Sequence, residues 1–229
     1  MTTPKLPAAP ATFPATPATF ALAGPAGVLE VACAPPDAAA RAGVAVICHP
    51  HPQHGGTMHN KVVTMLARSL GELGLPTVRF NFRGVGASAG EYADGIGERD
   101  DLAAVVAWAR RVRPDAVLWL SGFSFGSYVA LMASAALAPA QLILVAPPVG
   151  RWAFANAAPP CPLLIVQGEE DEVVDAPAVF AWAGALDPAP ELVRMPATGH
   201  FFHRRLMDLR GAVKNALRDR VPPLQSSTA

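Results

Sequence analysis

The sequence predicts an α/β fold in which a mostly parallel β-sheet carries helices on both faces. Short apolar runs of strand type alternate with longer segments whose apolar residues repeat at helical spacing. This alternation is typical of parallel sheets, because two parallel strands need a crossover connection, usually a helix. The predicted strands of the parallel part of the sheet are 43–50, 77–82, 117–120, 142–146, 163–167 and 192–195. The predicted helices are 58–73, 98–113, 125–137, 176–186 and 204–219.

Two further observations complete the predicted fold. The apolar runs 20–23 and 28–32 flank the turn sequence GPAG, which indicates an antiparallel hairpin at the N-terminal end of the sheet. The connection between the strands at 142–146 and 163–167 has only about 16 residues and is dense in Pro and Ala. This connection is too short for a separate cap domain.

The length and the terminal composition predict one folded domain at residues 18–220. A chain of 229 residues suits a single α/β domain with a sizeable core. Residues 1–17 are rich in Pro, Ala and Thr, and we expect a disordered tail there. We expect residues 221–229 to be a frayed C-terminal tail.

Composition excludes several classes of partner and site. The 18 basic and 18 acidic residues give zero formal charge, which argues against a nucleic-acid or anionic-membrane partner. The longest apolar run, 128–140, is too short to span a bilayer. The N-terminal segment lacks the features of a signal peptide. Cys33, Cys48 and Cys161 are too few and too scattered for a disulfide framework, so we expect a soluble, cytoplasmic protein.

The segment around Ser124 carries the strongest chemical signal. Gly122 to Gly126 read GFSFG, which fits G-x-S-x-G and lies between a predicted strand and a predicted helix. In that context the serine occupies a sharp, strained turn, a nucleophile elbow, at the N-terminus of a helix. The alternative interpretation is that this short pattern arises by chance.

Other reactive residues follow the predicted strands. Because the carboxyl ends of parallel strands meet at one edge of the sheet, these residues should lie on the same rim as Ser124. They comprise a histidine-rich segment after 43–50, an acidic cluster after 163–167 and His200 after the last strand. A serine, an acid and a histidine thus occur in that order along the chain.

These segments resemble the α/β-hydrolase superfamily, and more closely its small capless bacterial serine hydrolases related to dienelactone hydrolases and short-chain carboxylesterases. The resemblance covers about residues 20–217. It rests on the segments CHPHPQHGGTMHNKVV (48–63), RFNFRGVGASAGEYADGIGERDD (79–101), GFSFGS (122–127), QGEEDEVV (167–174) and TGHF (198–201).

The resemblance implies a catalytic triad. Ser124 would be the nucleophile and His200 the general base and then the general acid. A G-x-x-D pattern after the strand at 163–167 places the acid of the triad at Asp171. His203 is the alternative to His200. The alternatives to Asp171 are Glu169, Glu170, Glu172 and Asp175.

The remaining site residues are expected around the serine. The backbone N–H groups of Phe125 and of His51 would form the oxyanion hole. Trp152, Phe154 and Phe201 would wall a shallow substrate pocket.

The other polar residues of the rim are expected to be structural. The histidines at 49, 51, 54 and 59 match no common zinc spacing and have no carboxylate among them, so we expect neither a metal nor another cofactor. His49 is expected to buttress its loop by hydrogen bonds. Arg83 is expected to tie down its loop through Glu98, Asp94 or a carbonyl, or else to be exposed.

The predicted activity is cleavage of short-chain carboxylic esters through an acyl-enzyme. Thioesterase, peptidase and acyltransferase activities use the same triad and remain alternatives. A hydrolase-fold binding protein without turnover is a further alternative, against which the complete set of Ser, Asp and His argues. A small-molecule ester is the expected partner, and the sequence leaves the oligomeric state open.

Overall fold

Eight strands form one sheet in the computed structural model, which describes residues 6–152, 154 and 159–225. Their spatial order is β1-β2-β4-β3-β5-β6-β7-β8. The pairs β1–β2 and β2–β4 are antiparallel, and all neighbours from β4 to β8 are parallel. The predicted sheet and its N-terminal hairpin are therefore confirmed. The strands are β1 (Ala18–Gly24), β2 (Gly27–Ala34), β3 (Gly43–Cys48), β4 (Thr77–Phe80), β5 (Val117–Phe123), β6 (Gln141–Val145), β7 (Leu163–Gly168) and β8 (Glu191–Met195).

Helices cover both faces of the sheet, as predicted. Strand β3 shows why, since Val44 and Val46 enter the core under α2, α3 and α4 while Ala45 and Ile47 enter the core under α1 and α5. No helix in the described part of the chain combines the length and apolarity of a bilayer span. The helices are α1 (Lys61–Glu72), α2 (Ile96–Val112), α3 (Phe125–Leu137), α4 (Ala176–Gly184) and α5 (Leu206–Leu217), with a short 3₁₀ turn at Pro52–His54.

Two element boundaries differ from the prediction for local reasons. Helix α1 begins at Lys61 rather than 58, because the side chain of Asn60 accepts a hydrogen bond from the N–H of Val62 (2.9 Å) and acts as the N-cap. Strand β5 continues past residue 120 to Phe123, because its last residues still pair with β6. This extension carries the sheet directly to Ser124.

The N-terminal segment contacts the domain, which differs from the disordered tail expected at 1–17. The carbonyl of Pro7 accepts a hydrogen bond from the N–H of Ala21 (2.7 Å). The carbonyl of Pro10 accepts from the indole N–H of the fully buried Trp108 (3.1 Å). A buried indole needs such an acceptor, and this segment supplies it. The first five residues lie outside the described part.

The described part of the C-terminal segment also contacts the domain, which differs from the frayed tail expected at 221–229. The N–H of Ala42 donates to the carbonyl of Pro223 (2.9 Å), and the N–H of Gln225 donates to that of Ala40 (2.8 Å). These bonds satisfy backbone groups just before β3, so the segment is held against the start of that strand. The last four residues lie outside the described part.

The loop after β4 is tied to α2 by an ion pair that the sequence analysis placed wrongly. The Arg83 guanidinium donates two hydrogen bonds to Asp101, Nε to Oδ2 (3.0 Å) and Nη2 to Oδ1 (2.8 Å). Asp101 is completely buried, and the Arg83 side chain is 13% exposed. Glu98, an expected partner, instead accepts from the N–H of Gly95 (2.8 Å) and closes the start of α2. Arg83 is therefore a structural anchor, but through Asp101.

Replacing Asp101 should destabilise the protein strongly. In Asp101→Ala the Arg83 cation keeps its partly buried position without a counter-charge, which costs about 3–5 kcal/mol. Thermal or urea unfolding measures this change. The control is Asp100→Ala, since Asp100 is exposed on the same helix. Equal unfolding midpoints for the two variants would contradict the anchoring role.

Candidate active site

Ser124 lies at a strained turn between β5 and α3. Its backbone has φ 53° and ψ −121°, a conformation that residues with a side chain rarely adopt. The Ser124 N–H donates to the carbonyl of Val145 at the end of β6 (2.9 Å), which holds the turn against the neighbouring strand. The turn places Ser124 directly before the first residue of α3, beside unpaired N–H groups of the helix end.

The two glycines of the motif permit close approach of backbones. A Cβ on Gly122 would overlap the carbonyl of Gly126, and a Cβ on Gly126 would overlap the carbonyl of Cys48 on β3. Both positions therefore require glycine if β5, α3 and β3 are to meet as they do. Chance does not account for a pattern whose glycines are both fixed by such contacts.

Ser124, His200 and Asp171 form one chain of hydrogen bonds. His200 Nε2 lies 3.0 Å from Ser124 Oγ, and His200 Nδ1 lies 2.9 Å from Asp171 Oδ2. Because a carboxylate only accepts, Nδ1 carries the proton and Nε2 is free to accept one from the serine. The His200 side chain is 3% exposed and that of Asp171 is fully buried. His203, the alternative histidine, is exposed to solvent.

The surroundings of Asp171 keep its carboxyl group ionised. Burial by itself raises the pKa of Asp171, but the hydrogen bond and charge of His200, and the N–H groups of Val174 and Val173, outweigh burial and lower that pKa below its ordinary value. The two N–H groups donate to Oδ1 at 2.7 and 2.9 Å. Gln167 Nε2 donates to Oδ2 at 3.0 Å. Gln167 was not predicted as a site residue, because its only signal in the sequence is a polar side chain at the end of an apolar strand.

Three other acidic residues of this loop have different partners. Glu169 pairs with Arg194 at the surface (2.9 Å). Asp175 is the N-cap of α4. Glu172 accepts from the backbone N–H of His200 (3.0 Å) and so fixes the loop that carries the imidazole. Among the acidic candidates, it is Asp171 that faces His200 Nδ1.

His49 buttresses its loop, as expected. Its Nε2 accepts from the N–H of Phe82 (3.0 Å), so Nδ1 carries the proton and donates to the carbonyl of Pro50 (2.6 Å). Burial lowers the pKa of His49 to about 4, and the ring is neutral at pH 7. Within the described residues, no group of three or more His, Cys, Asp or Glu side chains is placed to hold a metal ion.

The two expected oxyanion-hole donors lie in the same neighbourhood. The rings of His51 and Phe125 are 5.0 Å apart. In the described residues, no hydrogen-bond acceptor is found for either backbone N–H. The His51 carbonyl accepts from the N–H of Gly56 (3.0 Å), which fixes the turn that orients the His51 peptide.

A small pocket opens at Ser124 and His200. Its volume is about 90 Å³, and its wall includes His51, His54 and Phe201. Phe201 is 53% exposed and lines the pocket, and its contact with substrate stays a prediction.

Trp152 and Phe154 do not line this pocket, which corrects the expectation for both. Trp152 is half-buried and stacks on Tyr128 at 5.4 Å, behind His51. Phe154 is 8% exposed and packs against Trp182 in the core above α4. Both rings pack against Tyr128, and neither is among the residues that line the pocket.

Comparison with known proteins agrees with this geometry. A family model described as serine aminopeptidase, S33, matches residues 44–161. The chain belongs to this family. It is therefore a serine hydrolase of the α/β-hydrolase superfamily, and the described part of this α/β-hydrolase contains no cap domain.

Two solved structures and one sequence relative are similar over most of the chain. XC6422 of Xanthomonas campestris, described as an α/β serine hydrolase without lid, is 53% identical with a TM-score of 0.91, over 93% of this chain and 99% of its own. An α/β serine hydrolase homologue of Coxiella burnetii is 46% identical with a TM-score of 0.87, over 90% and 100%. The uncharacterized protein RP471 of Rickettsia prowazekii is 32% identical over 76% of this chain and 78% of its own.

Acid should destabilise this hydrolase through His49. The unfolded chain protonates His49 below about pH 6.5, whereas the folded protein resists protonation until about pH 4. The unfolded state therefore binds more protons in this window, and stability is lost as the pH falls from 6.5 to 4. The loss attributable to His49 is about 3 kcal/mol.

Urea unfolding at a series of pH values checks this expectation. His49→Gln keeps an acceptor for the Phe82 N–H but does not titrate, so its stability should fall less steeply with acid. His59→Gln is the control, because His59 is exposed. Identical pH slopes for wild type and His49→Gln would show that His49 is not the group responsible.

Proposed function

We propose that the protein cleaves short-chain carboxylic esters through an acyl-enzyme intermediate. Ser124 is the nucleophile, His200 is the general base and then the general acid, and Asp171 orients the imidazole. The observation that carries this proposal is the unbroken chain of hydrogen bonds from Ser124 Oγ through His200 to Asp171, at a strained turn that opens into a pocket.

The geometry supports a two-step mechanism. Ser124 Oγ attacks the ester carbonyl carbon while its proton passes to His200 Nε2. Asp171 holds the Nδ1–H tautomer and stabilises the imidazolium that forms. The tetrahedral intermediate collapses, and the alcohol leaves with the proton from Nε2. Water then attacks the acyl-enzyme by the same route and releases the acid and free Ser124.

The developing negative charge on the carbonyl oxygen needs donors that are already in place. We assign this role to the backbone N–H groups of Phe125 and His51, which have no acceptor within the described residues. Phe125 is the first residue of α3, so the helix dipole adds favourable potential at the same point.

The wall of the pocket favours an ester over the substrate of an aminopeptidase. A peptide with a free α-amino group needs a carboxylate to pair with its charge. None of the described residues that line the pocket is acidic. Burial and the neighbouring His54 lower the pKa of His51, so its ring is neutral at pH 7 and suits an uncharged acyl group.

Removing the nucleophile should abolish turnover and leave the fold intact. In Ser124→Ala we expect kcat to fall on the order of a millionfold, as in other enzymes of this type. Labelling by a fluorophosphonate should be lost in parallel, and circular dichroism should be unchanged. Ser134→Ala is the control, since Ser134 is buried in α3 and bonds only within that helix. A Ser124→Ala protein with a tenth of wild-type activity would exclude Ser124 as the nucleophile.

Acyl length should be limited by the small pocket. Each buried methylene contributes about 0.8 kcal/mol until the pocket is full, so kcat/KM on p-nitrophenyl esters should peak at about two to six acyl carbons. No rate jump should occur at the solubility limit of the substrate. A maximum at long chains, or such a jump, would contradict the short-acyl assignment.

The same measurements should include a thioester and an aminoacyl p-nitroanilide. We expect the oxygen ester to have the highest kcat/KM of the three. A higher value for the anilide would identify a peptidase, and a higher value for the thioester would identify a thioesterase.

A further inference from the structure

A glutamine with an unusual hydrogen-bond pattern lies beside the acid of the site. Gln167, near the end of β7, is completely buried. Its Nε2 donates to Asp171 Oδ2 and to the carbonyl of Gly168, both at 3.0 Å. Since both partners are acceptors, this atom must be the amide nitrogen. Within the described residues, Oε1 is buried without a hydrogen-bond partner.

The unpaired oxygen makes Gln167 a poor choice for stability alone. A buried carbonyl oxygen without a donor loses its hydration and gains nothing in return. The preceding residues of β7, from Leu163 to Val166, are all apolar and buried. An apolar side chain at position 167 would extend that pattern and avoid the unpaired oxygen. The bond from Nε2 to Asp171 is therefore the feature that a glutamine adds.

That bond fixes the orientation of the Asp171 carboxylate. Val173 and Val174 hold Oδ1 through their N–H groups. Oδ2 receives His200 Nδ1 at 2.9 Å and Gln167 Nε2 at 3.0 Å. Without the donor from Gln167, the described residues leave Oδ2 only its bond with His200 Nδ1, which also lies 3.1 Å from Oδ1, so the carboxylate can rotate about Oδ1. Rotation would move Oδ2 away from His200 Nδ1 and loosen the imidazole.

We propose that Gln167 is a positioning residue for the triad. It acts through Asp171, keeping Oδ2 aligned with His200 Nδ1 and favouring the ionised carboxylate. This inference rests on the proposed function, because it assigns Gln167 a part in the reaction of the same site.

The chain offers a matched control in Gln141, at the start of β6. Gln141 is 2% exposed, and its Nε2 also donates to the carbonyl of the next residue, Leu142, and to that of Pro162, both at 2.9 Å. The two glutamines thus share burial and a bond to the following carbonyl. They differ because neither acceptor of Gln141 belongs to the site.

The experiment compares Gln167→Met with Gln141→Met on p-nitrophenyl acetate. Methionine keeps the length of the side chain and removes both polar atoms. We expect Gln167→Met to lower kcat roughly tenfold through misalignment of the imidazole, with little change in KM. Each variant loses two hydrogen bonds, but removal of the unpaired oxygen offsets part of the loss in Gln167→Met, so its melting temperature should fall less than that of Gln141→Met. Gln141→Met should melt lower and keep the wild-type kcat.

The pH profile provides a readout that a purely structural role would not move. With the donor gone, the carboxylate turns away from His200 Nδ1 and stabilises the imidazolium less, so the acid limb of kcat/KM should move to lower pH in Gln167→Met. Gln167→Leu, which also lacks the donor, should move that limb in the same direction. If Gln167→Met does not fold, the profile of Gln167→Leu decides alone.

The outcomes separate this inference from the proposed function. If the wild type neither hydrolyses the ester nor reacts with a fluorophosphonate, the proposed function is wrong. If the wild type does both, and Gln167→Met keeps the wild-type kcat and pH profile, Gln167 is only a structural residue. A lower melting temperature with unchanged kcat in both methionine variants would overturn the positioning role in the same way.

Discussion

The backbone at Ser124 is the constraint on which the site depends. A non-glycine residue at φ 53° costs about 1–3 kcal/mol and persists only where its surroundings hold it. Here the Val145 carbonyl on β6 accepts the Ser124 N–H, and Gly126 packs against the Cys48 carbonyl on β3. Strands β3 and β6 are the two neighbours of β5 and are fully buried. The core of the sheet thus fixes the turn from both sides.

Parallel topology then determines which groups meet the serine. Strands β7 and β8 follow β6 in the sheet and end at the same edge, so the loops after them carry Asp171 and His200 to Ser124. Each loop is also held to the other, since Glu172 accepts from the backbone N–H of His200. The imidazole therefore has its ring fixed by Asp171 and its backbone fixed by Glu172. Such double fixing suits the proton transfer that we propose for His200.

The sequence predicted what is encoded locally or by strand order. The strand, turn and helix around Ser124 could be predicted from the spacing of apolar residues and glycines. The residues after β7 and β8 could be predicted from the rule that parallel strands end at the same edge of a sheet. Hydrogen-bond partners that depend on how distant segments pack together were not predicted. Glu98 and Asp101 lie three residues apart on one face of α2, and only the position of the loop after β4 decides that Arg83 takes Asp101. The acceptor for the Trp108 indole comes from Pro10, a distant segment that composition suggested was disordered.

We propose that the loop after β3 couples catalysis to substrate selectivity. In the absence of a cap over the described residues, the ring of His51 bounds the pocket and packs against His54 at 4.4 Å, Tyr92 at 4.9 Å and Phe125 at 5.0 Å. If the backbone N–H of His51 completes the oxyanion hole, as we propose, one residue both stabilises the charge of the intermediate and limits the acyl chain. The turn in which the Gly56 N–H donates to the His51 carbonyl then fixes both the position of the His51 N–H and the position of the His51 ring. A shift of this turn that admitted a longer acyl chain would move the donor away from the oxyanion. Selection for short acyl groups would in that case follow from the geometry of catalysis itself.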